Sequence, residues 1–156
     1  MNIEYRKATA EDIKNLVSTR LNFLSEVNSL TDEDRELLKE TNHSYFIKAI
    51  RDGSYVSYIA LEQNQIIGTS GITFYSVPPN KKCPTGKAAY ISNIYTCSDY
   101  RRKGIARNLF TLVVDEARKS GYEKLLLNAT DMGRPLYEKF GFSATHGDME
   151  YIIRNS

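Results

Sequence analysis

Apolar residues change their spacing several times along the chain, and each change marks an element. Asn2 to Ala8 alternates, with Ile3 and Tyr5 set between polar neighbours, which predicts a first strand. The period then becomes helical: Ile13, Leu16, Val17, Leu21 and Leu24 recur on one face, preceded by Thr9 and Asp12 at capping-box spacing. Thr31 followed by Asp32, Glu33 and Asp34 starts a second helical region. It runs through Leu37, Leu38, Tyr45, Phe46, Ile47 and Ile50 to about Arg51, where Asp52-Gly53-Ser54 stops it. The acidic cluster needs no functional explanation, because early carboxylates offset the amides and dipole of a helix start.

Tyr55 to Glu62 and Gln65 to Tyr75 are rich in β-branched and aromatic residues and predict an antiparallel hairpin about Gln63-Asn64, with Gly68 and Gly71 as candidate bulges. Ser76 to Lys87 holds three of the four prolines and reads as a flexible loop. Ala88 to Cys97 is a further strand, and Tyr100 to Gly104 turns it into the most regular helix. The buried face of that helix is Ile105, Ala106, Leu109, Phe110, Leu112, Val113 and Ala117, with Gly121 beyond its end. Leu125-Leu126-Leu127 is a continuous apolar run, as expected of a strand covered on both faces. A last helix spans about Asp131 to Phe140, with Pro135 in its first turn and Gly141 closing it. Phe142 to Thr145 and Met149 to Ile153 predict a terminal hairpin about Gly147-Asp148. The order β, helices, β, β, β, α, β, α, β, β predicts a mixed α/β sheet in which the unit 88 to 129 is parallel and right-handed.

Composition narrows the setting. With 156 residues, 41% hydrophobic and 26% charged, the chain fits one folded domain. The net charge of +2 provides no global field for a nucleic acid or a membrane, so any electrostatic function is local. Cys83 and Cys97 have no second Cys or His at metal-ligand spacing, which predicts free thiols in a reducing compartment and no metal. The N-terminus lacks an apolar signal region and no apolar run reaches membrane-spanning length, so a cytoplasmic location is expected.

The segment from Ile94 to Arg107 carries the most chemistry. It joins a buried strand to a helix start, where unpaired amides gather, and small residues at Gly104 and Ala106 let a ligand approach the backbone. Arg101, Arg102 and Lys103, with Arg107 a turn later, add cationic hydrogen-bond donors. A phosphate-bearing ligand fits; a solvated basic turn fits these residues equally. Neither G-x-G-x-x-G nor G-x-x-x-x-G-K-[ST] is present, which disfavours dinucleotide and P-loop sites.

Arg101-x-x-Gly104-x-Ala106 resembles the R/Q-x-x-G-x-G/A signature of the GNAT N-acetyltransferase superfamily, between the strand and helix where that family keeps it. Leu136-Tyr137-Glu138-Lys139-Phe140-Gly141-Phe142 is similar to the family's L-Y-x-x-x-G-F segment. The resemblance is specific from about residue 88 to 142. It implies a single N-acetyltransferase domain over 1–156: a mixed, mostly antiparallel twisted sheet with a central parallel strand pair, flanked by helices. It further implies acetyl-CoA as co-substrate. The backbone of Ile94, Tyr95 and Thr96 would pair with the pantetheine arm, and the segment Arg101, Arg102, Lys103, Gly104, Ile105, Ala106 and Arg107 would cradle the pyrophosphate. Tyr137 would protonate the departing thiolate, against the alternative of a core aromatic beside Phe140 and Phe142. Thr130 stands where many members carry an asparagine, so it is a cofactor contact or, with Asp131, a helix cap.

The general base is the open position. The strand 88 to 97 has Tyr90, Ser92 and Asn93 where some members place a Glu, which leaves Glu62, Glu26 or water. His43 and His146 have no evident partner, and Cys97 lacks a positioned His for an acyl-cysteine route. The implied function is acetyl transfer to a small-molecule or peptide amine by direct attack, with a homodimer compatible and no membrane or nucleic-acid partner expected. A non-catalytic acyl-CoA sensor of the same fold is the alternative. Nucleic-acid binding through Lys81, Lys82, Lys87 and Arg101 to Lys103 is a third reading, with little aromatic interleaving to support it.

Overall fold

The helix-start signals near the N-terminus act as their spacing predicts. The structure is a computed structural model and describes residues 1–155. Strand β1 (Glu4–Lys7) leads through a 3₁₀ turn (Ala10–Asp12) into α1 (Ile13–Val27). Asp12, only 8% exposed, accepts the Thr9 backbone N–H at 2.8 Å and two guanidinium donors of Arg6 at 2.8 and 2.9 Å. Arg6, above all, holds this carboxyl below its ordinary value of 3.8. Asp12→Ala strips a cap and leaves two donors unpaired, so urea unfolding at neutral pH is expected to show a loss of about 2 kcal/mol. Because the native carboxyl is depressed, its contribution is present above the unfolded value and is lost as pH falls through the lower native one. Wild type and variant should therefore converge in acid; a gap that stays constant would contradict this account.

Helix α2 (Asp32–Asp52) starts at a second reciprocal cap. The Thr31 hydroxyl accepts the Asp34 N–H, and the Asp34 carboxylate accepts the Thr31 N–H, both at 3.0 Å. Gly53, at φ +79°, ends the helix. Strands β2 (Tyr55–Glu62) and β3 (Gln65–Ser76) form the expected hairpin, with Gln63 and Asn64 at φ +49° and +65° in the tight turn. Strand β4 (Lys87–Thr96), α3 (Ile105–Lys119), β5 (Lys124–Leu127) and α4 (Arg134–Phe140) follow. The result is the mixed α/β sheet that the element order predicts. Its strand order is β1-β2-β3-β4-β5, antiparallel except for the parallel pair β4–β5.

Strand alternation sorts the core onto two faces. Tyr55, Ile59 and Leu61 pack with Leu16, Val17 and Phe46 of α1 and α2. Ile72, Ala89 and Ile91 pack with Phe110, Val113 and Ala117 of α3, where Tyr137 of α4 joins them. The N-terminal helices thus cover one side of the sheet and α3 and α4 the other.

Several local expectations change. Leu125 to Leu127 is not covered on both faces: β5 is the sheet edge and is half-buried throughout. The hairpin of Phe142 to Thr145 with Met149 to Ile153 is not formed, and a 3₁₀ turn at Ile153–Asn155 is the regular element there. Phe142 is instead drawn against Phe110, 5.5 Å between rings, while His146 to Glu150 offers one apolar side chain and gains little by pairing. The parallel pair consequently lies at the end of the sheet rather than its centre. The loop 76 to 87, expected to be flexible, is tied by the reciprocal Asn80 and Cys83 backbone bonds, by Val77 N–H to the Gly86 carbonyl at 2.8 Å, and by Thr85 to Glu123, over a buried Cys83. Finally, Gly68 and Gly71 adjoin irregularities but are small for contact reasons. A Cβ on Gly68 would lie 3.0 Å from Ile105 and Leu109, and one on Gly71 would overlap the Tyr55 hydroxyl.

Candidate active site

The site begins with one extra residue in β4. Thr69 faces Tyr95 and Gly71 faces Ser92, so Asn93 and Ile94 together oppose the single Ser70. Asn93 adopts φ +58°, a conformation asparagine tolerates, and its carbonyl accepts the Thr69 hydroxyl at 2.9 Å. The extra residue reverses the alternation. Ala89 and Ile91 face α3, whereas Tyr95 turns to the other side and stacks on Phe23 of α1 at 5.4 Å. Pairing of β4 with β5 ends at Ile91 and Leu127, where β5 itself stops, so β4 has no strand partner on that side from Ser92 onward.

A groove of about 800 Å³ lies there. A recess of about 50 Å³, lined by Ile91, Ser92, Asn93 and Asn128, shares Phe23, Ile94, Thr130 and Tyr137 with the groove wall. Ile94, Tyr95 and Thr96 form the β4 wall, and Arg102, Gly104, Ile105, Ala106 and Arg107 bring the start of α3 to the groove. The first intrahelical bond of α3 runs from Asn108 N–H to the Gly104 carbonyl, so the preceding amides have no helical acceptor. Arg102 at φ +63° and Gly104 at φ +80° curl this segment as backbone anion nests do. The unpaired amides and the exposed side chains of Arg102 and Arg107 thus meet at one end of the groove.

Two of the predicted cradle residues are placed differently. Arg101 lines the groove, yet its guanidinium donates to the Thr96 carbonyl at 2.9 Å and to Glu26 at 2.6 Å, 5.7 Å above the Tyr95 ring. It braces β4 against α1. Lys103 is absent from the groove wall, with its ammonium 3.2 Å from the Asp99 carbonyl and over the Tyr100 ring.

Tyr137 lines both the groove and the recess. Pro135 in the first turn of α4 and the Phe110 ring, 5.1 Å away, fix its position, and a Cβ on Gly133 would press within 2.8 Å of its ring. Burial pushes its phenol above the ordinary value of 10, which keeps it protonated. Thr130 closes the turn that precedes α4, where Gly133 and not Thr130 holds the cap position: its hydroxyl accepts the Gly133 N–H at 3.2 Å while it also lines the groove.

None of the candidate bases is poised. Glu26 reaches the groove, but Arg101 first and the Tyr95 hydroxyl second hold its carboxyl below 4.5. Glu62 accepts the Tyr100 hydroxyl at 2.5 Å and lines neither cavity. Burial raises the Cys97 thiol, the wrong direction for a nucleophile. His43 and His146 are exposed and away from both cavities. Phe23 and the bulge at Asn93 are features that sequence reasoning does not anticipate. An asparagine inside an apolar strand run is the available signal for the bulge, whereas Phe23 carries none beyond its helical position.

The Asn93 side-chain amide and the Thr96 hydroxyl are buried without a hydrogen bond of good geometry among the described residues. A sequence model of the acetyltransferase (GNAT) family matches residues 22–142. The chain belongs to the GNAT acetyltransferase family. Within it, an uncharacterized N-acetyltransferase of Bacillus subtilis, YsnE, is 28% identical over 108 residues, which span 66% of this chain and 66% of that protein. A predicted acetyltransferase from Clostridium acetobutylicum, whose crystal structure contains acetyl-CoA, is 34% identical with a TM-score of 0.91, covering 99% of each chain. An aminoglycoside N-acetyltransferase, AAC(6′)-Iy in complex with CoA, shares the fold at 15% identity and a TM-score of 0.74, over 98% of this chain and 95% of that one. Among the described residues no group of three or more His, Cys, Asp or Glu could hold a metal, and no helix is long and apolar enough to cross a membrane.

Proposed function

We propose that this GNAT protein transfers the acetyl group of acetyl-CoA to a primary amine by direct attack, over a single domain of residues 1–156. The observation that carries the proposal is the edge of β4 left unpaired beyond the end of β5, opening onto the start of α3. That arrangement joins an unpaired strand edge, which suits an extended amide-bearing arm, to amides and arginines, which suit a pyrophosphate. The buried, unpartnered Thr96 hydroxyl fits the same arm. The acetyl-CoA-bound Clostridium structure, 34% identical, supports the choice of co-substrate.

Bound acetyl-CoA would supply an activated acetyl thioester and a thiolate leaving group. The residues around it have separable roles. A backbone N–H of β4 beside the bulge donates to the acetyl oxygen as negative charge develops there. The Tyr137 hydroxyl gives its proton to the sulfur as the carbon–sulfur bond breaks and the carbon–nitrogen bond forms. The amine loses its proton to water, because the carboxylate on the groove wall, Glu26, is already paired with Arg101. The two unpaired thiols suit a reducing compartment, and the proposal includes a cytoplasmic location.

The test is thiol release measured while both acetyl-CoA and amine are varied. Direct transfer predicts intersecting double-reciprocal lines and no acetylated protein by mass spectrometry. Parallel lines with acetyl-Cys97 would replace direct attack by a two-step route. Saturable cofactor binding with no thiol release across a broad amine panel would favour an acyl-CoA sensor.

A further inference from the structure

An unused cation lies beside the groove, behind one of its lining rings. Arg20 lies on α1 at the same face as Phe23 and Val27, both groove-lining, one turn before Phe23, and itself lines neither cavity. Its guanidinium sits 5.9 Å from the Phe23 ring centre and makes no hydrogen bond or ion pair with any described residue. Its charge reaches the buried Tyr55 hydroxyl, which lies beside the side chains of Ser92 and Asn93. Ser92 and Asn93 line the recess. Asn93 is 3% exposed, and neither polar atom of its side chain has a hydrogen bond of good geometry, the Tyr55 hydroxyl being the polar group beside it. One hydroxyl cannot satisfy both the donor and the acceptor of a buried amide, and the part left over is costly unless a ligand completes it.

No negative charge balances Arg20 from the cavity walls. The one carboxylate on either cavity wall, among the described residues, is Glu26, and Arg101 neutralises it at 2.6 Å. Asp32, Glu33, Asp34 and Glu36, the acidic cluster at the start of α2, line neither cavity. A polycationic acceptor would thus meet arginines without counter-charges.

We propose that the acceptor is an amine carrying an anionic group, a carboxylate or a phosphate ester, close to its nitrogen. Arg20 binds that group through its planar donor fork, and the Asn93 side-chain amide bonds the atoms beside it in the recess. This inference rests on the acetyltransferase reading above and names the substrate class for the same site.

The test uses CoA-saturated protein and calorimetric titration with matched amines: an amino acid against its amide, and phosphoethanolamine against ethanolamine. The anionic member of at least one pair should bind about ten-fold or more tightly than its neutral counterpart, and the pair that responds distinguishes carboxylate from phosphate. Arg20→Gln should remove that preference and Arg20→Lys should restore part of it, with CoA affinity the same in all three proteins. Equal binding within both pairs, a preference that survives Arg20→Gln, or no binding of any anionic member would overturn the proposal. Titration with CoA alone reports separately on the cofactor groove, so a failure there is distinct from a failure of the anion site.

Discussion

Tyr137→Phe is expected to lower kcat about 100-fold while the Kd for acetyl-CoA changes by less than about two-fold. The substitution deletes one oxygen and keeps the ring that packs against Phe110 and Phe142. Stability should therefore change little, and the loss belongs to the chemical step. Burial raises this phenol above 10, so in the wild type the hydroxyl carries its proton throughout the neutral range and can deliver it to sulfur. Thiols of low pKa leave with less need for a proton, so an acetyl thioester of a more acidic thiol should narrow the gap between variant and wild type. An unchanged kcat in Tyr137→Phe would reduce Tyr137 to a core aromatic and remove the proposed acid from the mechanism.

Ala106→Glu should act in opposite directions on folding and on binding. Ala106 is half-buried on the groove wall in the first turn of α3. A carboxylate there interacts favourably with the positive end of the helix, so thermal stability should hold or rise slightly. The same carboxylate would stand against a pyrophosphate, exchanging attraction from the α3 amides for repulsion between like charges. An increase in the acetyl-CoA Kd of roughly 100-fold or more is expected. A variant that unfolds, or one that binds acetyl-CoA as wild type does, would contradict the placement of the anion cradle at this helix start.

Elements set by neighbouring residues are legible in the amino-acid sequence. Capping boxes at Thr9 and Thr31, the stop at Gly53 and the Gln63-Asn64 turn are local devices, in which neighbours along the chain satisfy one another's backbone, and they appear where their spacing puts them. The groove wall is legible for the same reason, because a strand end running into a helix start is one continuous segment. Features that depend on contacts remote in the chain are not. Phe142 to Thr145 has the composition of a strand, but Phe142 packs on Phe110, and the hairpin does not form. Arg101 has the motif position of a phosphate ligand, and only the approach of α1 brings Glu26 within 2.6 Å of it. The same approach gives Glu26 a partner and removes it as a free base. Asn93 is visible as a polar residue in an apolar run, but its consequence, a bulge that turns Tyr95 toward α1, depends on the register with β3.

The most direct measurement is a calorimetric titration of the unmodified protein with acetyl-CoA, repeated with dephosphorylated and pyrophosphate-free pantetheine analogues. The account predicts saturable binding with one site per chain, weakened severely when the pyrophosphate is absent. No saturable heat with acetyl-CoA, or equal affinity for the pyrophosphate-free analogue, would contradict the claim that the unpaired edge of β4 and the start of α3 form a coenzyme A site.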